Sequence, residues 1–165
     1  MYESFSDMSG GDLKISIEEA MENPSNSKPI LVSSSPGVGS TAMIGKIAND
    51  MGITMINIDC ESATIEDFGV PRINDRGRTS TSYPTILPND NGYNGKGGVI
   101  VFDEVNRAHS QIIGIVMKMA STRQYNGYTL PDGWVIVLVS KGVDGDSGMG
   151  SALKDRFTYV DLGLM

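Results

Sequence analysis

Short apolar runs alternate with stretches of helical period along this chain. Ile15, Ile17, Ala20 and Met21 recur at roughly helical spacing among Glu18, Glu19 and Glu22, which predicts a short amphipathic helix ending before Pro24. Residues 23 to 29 read as a linker. Ile30 to Val32 is a short apolar run, followed by a Ser- and Gly-containing turn and then by Met43, Ile44, Ile47, Ala48 and Met51 at helical spacing. That order is strand, turn, helix. Gly52 fits a helix stop, and 53 to 59 reads as a second strand.

Residues 60 to 97 are rich in Ser, Thr, Asn, Gly and Pro with little periodicity, so they are expected to form long loops around at most one short helix. Gly98 to Phe102 is a strand of the fully buried type, and Ile112, Ile113, Val116, Met117 and Ala120 give a helix with one apolar face. Pro131, Asp132 and Gly133 mark a turn, Trp134 to Val139 is a further near-continuous apolar strand, and 158 to 162 suits a last one. Strands alternating with helices, several of them apolar on both faces, predict an α/β fold: a parallel sheet covered on each side by helices. The expected division is an N-terminal tail with a short helix over 1–28 and a core over 29–165.

Bulk properties narrow the class. A chain of 165 residues fits one domain with a real core. With 39% hydrophobic and 20% charged residues it has the balance of a soluble protein, and no apolar run reaches membrane-spanning length. The polar start lacks the build of a secretory signal, so a cytoplasmic location is the default. Cys60 is the only cysteine, which excludes an internal disulfide and is expected to be a small buried hydrophobe. The formal charge of −7 argues against tight binding of nucleic acid, since phosphate contacts need clustered Lys and Arg.

Two segments carry chemistry. A phosphate-binding loop needs small residues, so that backbone N–H groups can face the anion, and a following helix whose N-terminus favours negative charge. Against the pattern G-x-x-x-x-G-K-S/T, residues 34 to 41 place Ser34 at the first Gly, Gly39 at the second, Ser40 at the Lys and Thr41 at the hydroxyl position. Two of the four fixed positions depart. Pro36, Gly37, Val38, Gly39, Ser40 and Thr41 are thus the candidate nucleotide cradle. Downstream, the strand to Phe102 ends in Asp103 and Glu104, at the carboxyl end where open α/β sheets bind ligands. Asp103, with Thr41, would hold Mg²⁺, and Glu104 would orient or deprotonate the water attacking the γ-phosphate of ATP.

Five segments in order complete the pattern: Pro-Gly-Val-Gly at 36 to 39, Glu-Asp-Phe-Gly-Val-Pro at 66 to 71, Phe-Asp-Glu-Val-Asn-Arg-Ala at 102 to 108, Thr-Leu-Pro-Asp-Gly-Trp at 129 to 134, and Ala-Leu-Lys-Asp-Arg-Phe at 152 to 157. On these the chain is similar to the MoxR-like branch of the AAA+ ATPases. The resemblance implies a three-layer αβα P-loop NTPase fold with a parallel sheet of order 5-1-4-3-2. It further implies assembly into a homo- or hetero-oligomeric ring with ATP between subunits, and chaperone-like work on a protein client, often with a von Willebrand A-type partner. It puts Arg156 on the arginine finger, supplied to the neighbouring subunit's γ-phosphate.

Three departures from that family count. Ser40 replaces the phosphate-contacting lysine, removing a charge from the centre of the site. Ser140, Lys141 and Gly142 stand where the family has Gly-Asn, altering the polar sensor. The chain stops at Met165, before the helical lid the family carries. Lys141, at the end of a strand expected beside the loop, is either a solvated loop lysine or a replacement for the charge lost at Ser40. Two readings follow: an ATPase that remodels a protein partner, and a hydrolysis-deficient pseudo-ATPase acting as scaffold or arginine-finger donor. A nucleic-acid motor is the least favoured, given the acidic balance. Arg72, Arg76, Arg78 and Tyr83 form a candidate substrate-contacting loop, His109 is expected to be an exposed cap residue, and Arg107 fits a structural ion pair as well as a catalytic part.

Overall fold

A computed structural model describes residues 5–35, 37–73, 75–82, 87–88, 97–141 and 156–162. The strands are β1 (Ile30–Ser34), β2 (Thr54–Asp59), β3 (Val70–Ile73), β4 (Thr79–Ser82), β5 (Gly98–Asp103), β6 (Gln124–Tyr125), β7 (Tyr128–Thr129), β8 (Trp134–Lys141) and β9 (Thr158–Asp161). The helices are α1 (Phe5–Glu22), α2 (Ser40–Met51) and α3 (Ser110–Thr122).

Five strands pair in parallel in the order β2-β5-β8-β1-β9. Numbered among themselves in chain order and read from the β9 edge, they run 5-1-4-3-2. The alternation of side chains across a strand explains both helical layers. On one face, Leu31, Ile58, Ile100, Phe102, Ile136 and Leu138 pack with Ile112, Ile115, Val116 and Met119 of α3. On the other, Ile30, Val32, Val99, Val101, Val135, Val137 and Val139 meet Leu13, Ile17 and Ala20 of α1 and Ile44 and Ile47 of α2. All six residues of β5 are buried, which is why this segment reads as a continuous apolar run rather than an alternating one.

Three local features differ from the sequence reading. Helix α1 begins at Phe5, ten residues ahead of the first periodic position, because Gly10 and Gly11 interrupt the apolar rhythm without ending the helix. The expectation of loops around at most one short helix over 60–97 needs correction. A short 3₁₀ turn (Ile65–Phe68) is followed by the antiparallel hairpin β3–β4, whose second strand is all Ser and Thr and therefore carries no apolar signal. A second small hairpin, β6–β7, turns on Asn126 and Gly127, both at positive φ (49° and 87°), the geometry a two-residue hairpin loop demands.

Arg123 fixes the far end of α3. Its guanidinium donates to the carbonyls of Trp134 (2.8 Å), Pro131 (3.0 Å) and Pro24 (3.3 Å), tying three chain segments together. Burial pulls its pKa down, with Asp132 opposing. No helix among the described residues is long and apolar enough to cross a membrane.

Candidate functional site

The loop after β1 enters α2 through Gly39, at φ 80° and ψ 35°, a left-handed conformation that a residue bearing Cβ adopts only at a cost. Gly39 also brings no side chain to cap the helix, so the first-turn amides of α2 are not claimed by a side chain at that position. Gly37 is likewise left-handed, at φ 86°, and exposed. Val38 donates its N–H to the Ser35 carbonyl at 3.3 Å and is half-buried. Pro36 lies outside the described residues.

Ser40 points inward. It is 1% exposed, and the Ser34 hydroxyl, 2% exposed, donates to the Ser40 hydroxyl at 3.3 Å. The two departures from the phosphate-loop pattern are therefore in contact with each other. At the next position, the Thr41 hydroxyl donates to Asp103 Oδ2 at 2.9 Å. This bond joins the start of α2 to the end of β5, across 62 residues of sequence.

Asp103 is 9% exposed, and its other oxygen, Oδ1, is buried without a hydrogen-bond donor. Lys141 lies beside it, with Nζ 3.5 Å from Oδ1, 3.5 Å from Oδ2, and 3.9 Å from Glu104 Oε1. The backbone explains how Lys141 comes to be there. In the β1–β8 register it pairs with Ser34, the last residue of β1 before the loop. The β5–β8 ladder stops at Phe102 and Leu138, and beyond it the Asn106 carboxamide takes over. Asn106 accepts from the Lys141 N–H at 3.1 Å and donates to the Lys141 carbonyl, as a neighbouring peptide group would.

Glu104 begins a 3₁₀ turn (Val105–Arg107) from a left-handed conformation, φ 55°, unusual for a non-glycine residue. Its carboxyl is held above the usual carboxylate range, chiefly by a hydrogen bond shared with Glu61, then by desolvation and the Glu61 charge, while Lys141 opposes. Asp59, Glu61 and Glu104 bring carboxylate oxygens within 4.8 Å of one another. Beneath them Cys60 is fully buried, and its thiol pKa is pushed up to about 12 by burial and by the Asp59 and Asp103 charges.

Arg156 stands elsewhere. It is exposed just ahead of β9, whose first residue Thr158 pairs with Ile30 at the start of β1. The loop lies at the other end of β1, about 13 Å of strand away at roughly 3.3 Å per residue. Arg156 lines a cavity of about 910 Å³ that Lys28, Lys118 and Arg123 also border. His109 is exposed at the N-cap of α3 and makes no capping bond. Arg107 is exposed in the turn after Glu104. Arg76 and Arg78 are exposed in the segment joining β3 to β4, Arg72 falls within β3, and Tyr83 is outside the described residues.

Sequence reasoning does not single out Asn106 or Glu61 as parts of the site. Asn106 is visible within the segment 102 to 108, whereas Glu61 has no local signal and reaches Glu104 only because β2 and β5 are neighbours.

A parallel sheet in this order, with a glycine turn after its first strand and an acidic pair at the end of its third, is a P-loop NTPase fold. Within that class, the chain belongs to the AAA domain (dynein-related subfamily) family, whose model matches residues 29–157. Solved structures agree on the fold. A candidate ATPase from Cytophaga hutchinsonii superposes with a TM-score of 0.59 at 17% identity, over 98% of this chain and 53% of that one. A point mutant of RuvB from Thermotoga maritima gives 0.58 at 16%, over 96% and 45%. NtrX from Brucella abortus gives 0.57 at 15%, over 93% and 35%. The chain thus spans about a third to a half of these proteins. No curated protein matches it.

Proposed function

We propose that the chain binds Mg-ATP at the junction of α2 and β5, as a MoxR-like AAA+ module whose hydrolysis of ATP drives remodelling of a protein partner. The observation that carries this reading is the 2.9 Å bond between Thr41 and Asp103, because it assembles a hydroxyl and a carboxylate from the two motifs at one point. The donor set suits a hard divalent cation: oxygen ligands, one of them the buried Oδ1 of Asp103, which accepts no hydrogen bond and is faced by the Lys141 ammonium at 3.5 Å. Thr41 and Asp103 would hold Mg²⁺, which when bound neutralises charge on the phosphate oxygens.

In this reading the residues of the chain divide the work. The main-chain amides of 37 to 41 and the α2 N-terminus receive the phosphates. Glu104, at the rim and with its proton affinity raised by Glu61, accepts the proton of the attacking water or orients it. Arg156 cannot serve its own loop from the opposite end of β1. It fits a donor to the site of a neighbouring subunit, which requires an oligomer, of which a ring is the form the family likeness suggests. A von Willebrand A-type protein is a candidate partner on the same ground.

The second reading, a hydrolysis-deficient scaffold or arginine-finger donor, is favoured by one observation. Ser40 is buried against Ser34, so the loop presents no cation where the pattern has lysine. Mg-ATP binding by thermal shift, followed by phosphate release, separates the two. Binding with turnover, slow and raised by Ser40→Lys, supports the ATPase; no binding by either form refutes it and favours the scaffold.

A further inference from the structure

We propose that Lys141 is the phosphate-contacting cation of this site, delivered from the end of β8 instead of from the loop, and that without nucleotide it occupies the place of the metal on Asp103 and Glu104. The inference rests on the nucleotide-binding reading and adds a regulation to it.

Four observations converge. The position that carries the cation in the phosphate-loop pattern holds Ser40, which is turned into the protein. Lys141 stands in register with Ser34 on the adjacent strand, and neighbouring strands lie about 4.8 Å apart, so its stem starts beside the loop. Asn106 grips both backbone polar groups of Lys141, so the position of that stem is set rather than left to a fraying strand end. The ammonium already sits 3.5 Å from both oxygens of Asp103 and 3.9 Å from Glu104.

The physical consequence is an exchange of charges. An ammonium on a flexible four-carbon stem pairs with whichever anion is stronger and nearer. With the site empty, that anion is the acidic pair, and a divalent cation must displace Lys141 to reach Asp103. When a triphosphate enters, Lys141 has a second set of oxygens to pair with, and moving there uncovers Asp103 and Glu104 for the metal. Nucleotide and metal therefore bind with positive coupling, each stabilising the arrangement the other needs. A lysine fixed in the loop would help the nucleotide without screening the carboxylates.

The test uses the whole chain, with Lys141→Met to keep the stem without its charge, Lys141→Arg to keep the charge, and the double variant Ser40→Lys/Lys141→Met. Thermal melts establish that each is folded. Calorimetry with Mg-ATP should show Lys141→Met binding roughly 10–100-fold more weakly than wild type, the range expected for losing one bond to a charged group. Lys141→Arg should lose less, and a lysine restored at position 40 should recover the affinity. Mn²⁺ titrated without nucleotide should bind Lys141→Met at least about tenfold more tightly, since the competing ammonium is gone. A purely structural lysine would not produce these opposite signs. Wild-type affinity for Mg-ATP in Lys141→Met, or Mn²⁺ binding no tighter than wild type, overturns the inference and leaves the nucleotide reading standing. Absence of Mg-ATP binding in both wild type and Ser40→Lys overturns the nucleotide reading and this inference with it.

Discussion

Asn106→Ala is the substitution whose effect the structure specifies most fully. The side chain makes two hydrogen bonds to one residue, accepting from the Lys141 N–H at 3.1 Å and donating to the Lys141 carbonyl. Both replace ladder bonds that β5 no longer provides after Phe102. A net hydrogen bond contributes about 1 kcal/mol, so losing two should destabilise by about 2 kcal/mol, moderated by partial access of water at this half-buried position. For a domain of this size that corresponds to a fall in Tm of roughly 4–8 °C. Urea denaturation followed by circular dichroism measures it directly. Asn106→Asp keeps the acceptor and loses the donor, and it places a third carboxylate beside Asp103 and Glu104, so it should not rescue. The functional half of the reasoning is read by a double-mutant cycle. If Asn106 acts on the site by positioning Lys141, then Asn106→Ala should weaken Mg-ATP binding in wild type and have no further effect on binding in Lys141→Met, while its stability loss persists in both. A stability change below about 0.5 kcal/mol would show that the clamp contributes nothing net, and additive losses in nucleotide affinity would show that Asn106 does not act through Lys141.

Asp103→Asn should abolish the Mg²⁺ dependence of nucleotide binding, and Thr41→Ala should weaken it by roughly tenfold, both measured by calorimetry with and without chelator. Arg156→Ala should leave Mg-ATP affinity within about twofold yet cut steady-state phosphate release by roughly a thousandfold in the assembled protein, as expected of a cation supplied in trans; an equal loss in a dilute monomer would refute the assignment. Cys60 should resist a thiol reagent at pH 8 in the folded protein and react once unfolded, because it is buried. Its folded pKa of about 12 lies above the ordinary value of 9.0, so the neutral thiol is favoured by folding: this contribution to stability is complete below about pH 9 and is lost as the pH rises toward 12, and Cys60→Ala should lessen the fall in Tm across that window. Arg123→Ala should destabilise by about 3 kcal/mol through three lost bonds to carbonyls, with no effect on nucleotide affinity, by chemical denaturation.

What the sequence discloses depends on whether the signal is local. Strands β1, β5 and β8 are legible because each carries a continuous apolar run, and helices α2 and α3 because a single face carries their apolar positions. Strand β4, Thr-Ser-Thr-Ser, is not, since its composition is that of a loop and only pairing with β3 makes it a strand. The β6–β7 hairpin is recoverable, because Asn-Gly between two tyrosines is the sequence its backbone requires. Within the site, Thr41 and Asp103 are each legible from a motif. Their direct bond is not, because nothing in two segments 62 residues apart records which sheet neighbours they become. The same holds for Glu61, whose effect on Glu104 follows from the adjacency of β2 and β5.

The arrangement of charge gives the module a direction. One end of the sheet collects carboxylates: Asp59, Glu61, Asp103 and Glu104 lie at the carboxyl ends of β2 and β5, with Lys141 as the cation placed among them. The other end collects cations around the cavity beside Arg156, where Lys28, Lys118 and Arg123 also lie. If copies of the chain associate head to tail, the acidic end of one would meet the cationic side chains around the cavity of the next, a pairing of opposite charges. Such a contact is heterologous, and repeated with a closing rotation it produces a ring. Raising the salt concentration should therefore weaken self-association while leaving the fold of the monomer intact, and Lys118→Glu, which reverses a charge at the cationic end without touching the phosphate loop, should do so at low salt. Sedimentation of the two proteins across a salt series reads this directly: association that is indifferent to both salt and Lys118→Glu would mean that the polarity of the sheet plays no part in assembly.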